Sequence, residues 1–316
     1  MNQDPFGDRV PVWESIPEPE SKPIAVGFGD LHLSDRPPLA RSDEPDWYAA
    51  MAWPIYQLKQ IAKRFQVPVI CSGDAMDRWS QPPKLVNWAI QHLPTMHCVS
   101  GNHDQPWHSL EQIQQSSYWT LVEAKKIVDL PPGMPKRIGN LVLHGFPHGC
   151  DVTPLKKEDD FFHLAVVHAF IWTSRTGHEG ASEDSRLGVW RARLVGYDAV
   201  LMGDNHLTLC SQKQRPAILN PGAFLRRTVA ERDHEPCVGL LLESGRWVRV
   251  NLDTTGEKLT EITHASKSVD ITALVAELAN LSDKVADFQD AVEGFFRDHL
   301  DTNLAVKTLM LKALDK

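Results

Sequence analysis

The chain has 316 residues, 42% hydrophobic and 23% charged, enough to bury one large core or one core with a small appendage. A formal net charge of −8 excludes a wholly basic nucleic-acid binder but not a local nucleic-acid site, and no apolar run is long enough to cross a bilayer. Cys71, Cys98, Cys150, Cys210 and Cys237 form no close pairs and read as reduced core residues of a cytosolic, membrane-free protein; the start, Met1-Asn2-Gln3-Asp4, lacks a basic and apolar leader.

Residues 1–23 are rich in Pro, Glu and Asp without periodicity and read as an extended arm. Short apolar runs then recur as strand candidates at Ile24–Gly29, Val67–Ser72, Thr95–Ser100, Arg137–His144, Leu164–Val167 and Ala199–Met202. Asp46–Phe65 has helical spacing, with Pro54 marking either a start near Trp53 or a kink, and Pro82-Pro83 precede a helix over Lys84–His92. Thr173–Gly188, polar and without period, is expected to be a long loop of the kind that covers a substrate. Val238–Glu243 and Arg246–Leu252 flank Ser244-Gly245 as a hairpin. From about residue 263 the spacing becomes helical, which predicts a small C-terminal helical module over 263–316 behind an α/β domain spanning 24–262.

Metal-type residues follow these runs in order: Asp30 and His32, Asp74, Asn102 and His103, His168, then Asp204 and His206. Strands ending on one edge of a sheet would bring them together. Two residues apart in a strand, Asp30 and His32 would share a face and one ion. Asp74, after a glycine, is placed either to bridge two ions or to cap a helix. Asn102 offers a neutral oxygen ligand, and His103 an imidazole that can protonate a leaving alkoxide. Asp77 and Asp104 are placed to orient that imidazole. Oxygen and imidazole donors around a shared carboxylate suit two divalent metals, and such a pair suits phosphoester hydrolysis.

With those residues in place, the chain resembles the calcineurin-like metallophosphoesterase superfamily, whose pattern is Asp-x-His, Gly-Asp-x-x-Asp, Gly-Asn-His-Asp/Glu, a lone His and Gly-His-x-His. The resemblance implies a sandwich of two mixed β-sheets flanked by helices. It further implies one ion on Asp30, His32, Asp74 and His206, a second on Asp74, Asn102, His168 and Asp204, and His103 as the catalytic histidine. Asp204 departs from the usual histidine, and as a hard anionic ligand it favours Mn²⁺ or Mg²⁺. The segment Asn220-Pro221-Gly222-Ala223-Phe224, with Arg226, Arg227, Glu231 and the hairpin ending near Leu252, is similar to that closing the catalytic domain of the SbcD nuclease family. That similarity implies a Mn-dependent DNA nuclease acting in repair or recombination. Its partners would be an SMC-like coiled-coil ATPase of the SbcC type or a second copy of the chain. A phosphoesterase for small nucleotides or phosphoprotein is the alternative, since it would share the metal site.

Several residues keep two readings. Trp79 and Trp107 could stack on an unpaired base or plug packing gaps, and Arg226 and Arg227 could touch a nucleic-acid backbone or form a solvated edge with nearby acids. His144, His148 and His163 lie outside the matched blocks and read as structural or surface residues. Arg175, His178 and Arg186 could line a channel or be plain surface.

Overall fold

A computed structural model describes residues 12–177 and 180–260. His178 and the helical module expected over 263–316 lie outside the described residues. Of the arm expected over residues 1–23, residues 1–11 lie outside the described residues, Val12–Ser15 makes a helical turn (α1) whose Trp13 packs edge-on against Trp53 and Tyr56, and residues 16–22 form no helix or strand. The first strand, β1, is Pro23–Phe28.

The elements then run α2 (Trp47–Phe65), β2 (Val69–Cys71), α3 (Pro83–His92), β3 (Met96–Cys98), α4 (Ser117–Glu123) and β4 (Ile127–Asp129). Next come β5 (Lys136–Ile138), β6 (Leu141–Phe146), β7 (Phe162–His168), α5 (Leu187–Arg193) and β8 (Ala199–Gly203). The series ends with β9 (Leu209–Ser211), β10 (Ala217–Asn220), β11 (Cys237–Leu242) and β12 (Trp247–Asn251). Asp46 caps α2 by accepting from the Ala49 N–H at 3.0 Å, so the helix starts well before Pro54, which is carried inside it. The run Arg137–His144 is not one strand: it falls across β5 and β6, which turn at Gly139, where φ is +59°. The long polar stretch is shorter than its composition suggests, because a 3-10 turn forms at Glu183–Ser185 and α5 starts at Leu187.

Two mixed sheets form, in the orders β12-β11-β1-β2-β3-β4 and β5-β6-β7-β8-β10-β9. In the first, a parallel block β1-β2-β3-β4 reaches one edge and antiparallel β11 and β12 lie beyond β1; in the second, the parallel block β6-β7-β8-β10 is flanked by antiparallel β5 and β9. Parallel strands covered on both faces should be apolar on both, and these are. Ala25, Ile70, Leu164, Val166, Ala199 and Leu201 face the seam between the sheets. Val26, Val69 and Cys71 face the other way, toward α2, α3 and α4, and Ala165, Val167, Val200 and Met202 pack under α5. The result is a sandwich of two sheets flanked by helices. The parallel strands β1, β2, β3, β7 and β8 all end on one edge, and the chemistry-bearing residues lie there.

The cysteines only partly follow expectation. Cys71, Cys98 and Cys237 are buried thiols, Cys150 is half-buried and Cys210 is exposed on β9.

Candidate metal centre

The loops leaving β1, β2 and β8 place Asp30, His32, Asp74 and Asp204 in left-handed backbone, with φ of +50°, +46°, +51° and +89°. Such conformations carry strain in residues with side chains and collect at functional sites. Asp30 and His32 therefore do not share the face of a strand; β1 ends at Phe28, and a left-handed turn swings both inward. No helix follows Asp74 until α3, so it caps none; its Oδ1 instead accepts from the His103 N–H at 3.0 Å.

The other carboxylate oxygen sits between two imidazoles. Asp74 Oδ2 lies 3.5 Å from His32 Nε2 and 3.5 Å from His168 Nε2. Around His168 Nε2 are Asn102 Oδ1 at 3.0 Å and Asp204 Oδ1 at 3.9 Å. His206 Nε2 lies 3.1 Å from His32 Nε2. Ligand atoms of Asp30, His32 and His206 fall within 4.8 Å of one another, as do those of Asp30, Asp74 and His168. The seven residues are thus brought together as two groups with Asp74 between them.

The free ring nitrogens pin the imidazoles. The His168 Nδ1–H donates to the Ser72 carbonyl at 2.7 Å, and His206 Nδ1–H to Glu231 Oε1 at 2.7 Å. Both rings then turn Nε2 toward the carboxylates, as ligating histidines do when their other nitrogen is held. Two glycines make room: a Cβ on Gly73 would fall 2.2 Å from His168 Nδ1, and one on Gly101 2.0 Å from Asp74 Oδ1.

Asp30 is fully buried, yet its Oδ2 has no hydrogen-bond partner among the described residues, and neither does His32 Nδ1. A buried carboxylate oxygen without a partner is unfavourable unless a cation or proton meets it. Burial pushes Asp30 up to about 7, against the pull of His206 and His168. Burial holds His32 well below the usual histidine range. Burial also opposes charge on His168, but Asp74, with help from Asp30 and Asp204, raises it well above that range. Asp74 is held well below the carboxylate range because His168 and His32 outweigh its burial. The site thus balances its carboxylates with protons, which divalent cations could replace. The donor set fits: Asp30, His32, Asp74 and His206 would hold one ion, and Asp74, Asn102, His168 and Asp204 a harder, more oxygen-rich second.

His103 stands at the exposed edge of the cluster, its ring 4.7 Å from that of His32. Its orientation is not what the carboxylates of Asp77 and Asp104 were expected to provide. The Nδ1–H donates at 2.6 Å to the backbone carbonyl of Asp77, whose carboxylate instead pairs with Arg227 Nη2 at 2.5 Å. Asp104 is buried and accepts from the N–H groups of Gly101 (3.0 Å), Ala75 (3.2 Å) and Met76 (2.9 Å), tying two ligand loops together. A carboxylate near a histidine in sequence carries no signal of which backbone amides it will meet.

Four residues, Glu231, Arg227, Arg226 and His148, were not singled out for the places they take. Glu231 orients His206, and Arg227 holds Asp77, so this arginine is no solvated edge; Arg226 likewise pairs with Glu257 at 2.7 Å. His148 lies beside the cluster, 6.1 Å ring to ring from His168, whereas His144 and His163 are hydrogen-bonded to each other at 2.9 Å away from it.

The family of calcineurin-like phosphoesterases matches residues 25–207 of the sequence. No curated protein matches it. Among solved structures, a candidate 5′-nucleotidase from Staphylococcus aureus, crystallised with α-ketoglutarate, is 12% identical over 75% of this chain, with a TM-score of 0.46. The chain spans 56% of that protein's length. A calcineurin-like phosphoesterase from Bacillus subtilis is 11% identical over 74% of this chain and 89% of its own, with a TM-score of 0.40. An archaeal phosphodiesterase is 13% identical over 72% of this chain and 99% of its own, with a TM-score of 0.36. Likenesses this distant carry no argument about substrate.

Proposed function

This chain belongs to the calcineurin-like phosphoesterase family, and from that premise we propose that it is a manganese-dependent DNA nuclease of the SbcD type. It is a metal-dependent phosphoester hydrolase; the nucleic-acid substrate, the choice of manganese and the residue roles are this reading's additions. Divalent ions bound by the two groups would supply charge to phosphoryl oxygens and an ionised water at neutral pH.

The chain's own contribution lies in His103. Its Nδ1–H is fixed on the Asp77 carbonyl, which leaves Nε2 of this exposed ring to give a proton to the departing oxygen. Arg227 clamps Asp77 and so keeps that carbonyl in position. The floor of the site is buried, while His103 is exposed and the side chains of Asp204 and His206 are 28% and 34% exposed. A buried ligand floor under an open face accommodates a phosphodiester within a long polymer, and this observation carries the reading.

The rim supports the same family of nucleases. The segment Asn220–Phe224 is pinned to the ligand loops, the Phe224 N–H donating to the Asp30 carbonyl at 3.2 Å and the Ala223 N–H to the His206 carbonyl at 3.0 Å. Arg227 and Glu231, which follow it, reach Asp77 and His206. A cytoplasmic location, and a coiled-coil ATPase or a second copy of the chain as partner, go with this proposal.

The test is an assay of labelled single- and double-stranded DNA with Mn²⁺, alongside a small model phosphodiester. Degradation of DNA by the wild type, with a loss of ~10²–10⁴-fold in kcat for His103→Ala at unchanged metal content, is expected. Ester turnover with intact DNA would replace the nuclease by a small-nucleotide phosphodiesterase. Full activity of His103→Ala would remove the role given to that histidine.

A further inference from the structure

Trp107 is 64% exposed, among the largest apolar surfaces the fold leaves open. Its backbone is left-handed (φ +49°, ψ +31°), and so is that of His108 (φ +57°). Two consecutive side-chain-bearing residues in that region are strained, and strain of this kind persists where the surroundings enforce it, most often near sites of function. A packing plug needs burial; this indole is held outward instead.

It is not isolated. The Trp79 ring lies 5.0 Å away, centroid to centroid, inclined at 39°. Trp79 is half-buried and anchored, its carbonyl accepting from the Ser117 N–H at the start of α4 at 2.7 Å. The two rings come from the two loops that build the exposed edge of the metal centre. Trp79 follows Asp77 by two residues and Trp107 follows His103 by four, so each is within roughly 7–14 Å of the proton donor's own anchor points along the chain. Beside Trp107, the His108 ring lies 6.2 Å from that of His148, which lies 6.1 Å from that of His168. A row of imidazoles therefore runs from the ligand His168 through His148 to His108, the neighbour of Trp107 in the chain.

We propose that Trp107, backed by Trp79, is the platform on which a base of the substrate stacks, making it a specificity-determining residue. The proposal rests on the hydrolase reading above and narrows it to substrates that carry a nucleobase. Stacking is tolerant of base identity, since every base has a π face, so it gives affinity for single-stranded nucleic acid without sequence preference.

The experiment measures kcat and KM for a six-thymidine strand and for an abasic strand of the same length, with Mn²⁺, in wild type, Trp107→Ala and Trp107→Phe. Trp107→Ala should raise KM for the thymidine strand about tenfold, leave the abasic strand unchanged and keep kcat within about twofold on both, with Trp107→Phe restoring most of the loss. Equal changes on both strands, or none on either, overturn the platform. Should the wild type cut neither strand, indole fluorescence decides separately: quenching by thymidine 5′-monophosphate but not by deoxyribose 5-phosphate, lost in Trp107→Ala, sustains the platform while the nuclease reading fails. Absence of that quenching overturns it.

Discussion

Glu231 serves two loops with one carboxylate. Oε1 accepts from His206, and Oε2 accepts from the N–H groups of Arg227 at 2.5 Å and Thr228 at 3.0 Å. Burial alone would raise its pKa, but the bond to His206 holds it below the ordinary range, so it is ionised at neutral pH. That charge fixes the His206 tautomer and pushes the imidazole up to about 8, against its burial. Glu231→Gln should lower manganese affinity about 10–100-fold, read by chelator competition, without unfolding the protein; an unchanged affinity would show that the ring is oriented by something else. The ligand-type residues were legible because few combinations of Asp, Asn and His recur at strand ends in this order. Glu231 was legible only as part of a resemblance, since its partner lies 25 positions upstream and nothing local marks the pairing.

The site's precision comes from the loops between elements. Strands of three residues, β2 and β3, deliver Asp74 and Asn102, and Asp104 fastens their loops through three backbone N–H groups. Removing that carboxylate leaves buried donors without partners, which costs about 1–3 kcal/mol for each group left unsatisfied. Asp104→Ala should therefore lower the urea midpoint and also weaken metal binding, because Asp74 and Asn102 lose their common tether. A variant as stable as the wild type would refute the tether. The apolar runs revealed β1, β2, β3, β7 and β8 because strands buried on both faces read as continuous hydrophobic segments. The short strands β4, β9 and β10, and the seven-residue helices α4 and α5, escaped notice because so few residues show no period.

Across the whole molecule the fold keeps several imidazoles neutral. Burial lowers His144 to about 4 and also lowers His97 and His234 from their usual range. In the unfolded chain these rings would take up protons near pH 6.5, so the stability they contribute is lost as the pH drops from about 6.5 toward 4, opposite in sign to the raised Asp30 carboxyl. Thermal unfolding of metal-free protein from about pH 7 to 4 should therefore show His144→Gln gaining stability relative to the wild type as the pH falls; a constant difference would exonerate His144. The two-sheet sandwich was readable as an architecture from the order of apolar runs and the resemblance together, whereas the pairing of β11 with β1, across the length of the domain, was not. That pairing and the crossing between sheets bring the ends of β1, β2, β3, β7 and β8 to one edge, and the function depends on what they hold there. Manganese titration followed by electron paramagnetic resonance tests this most directly. Two ions per chain with the spectrum of a coupled pair, the coupling lost in Asp74→Asn, is the predicted result; a single uncoupled ion, or none at saturating manganese, would contradict it.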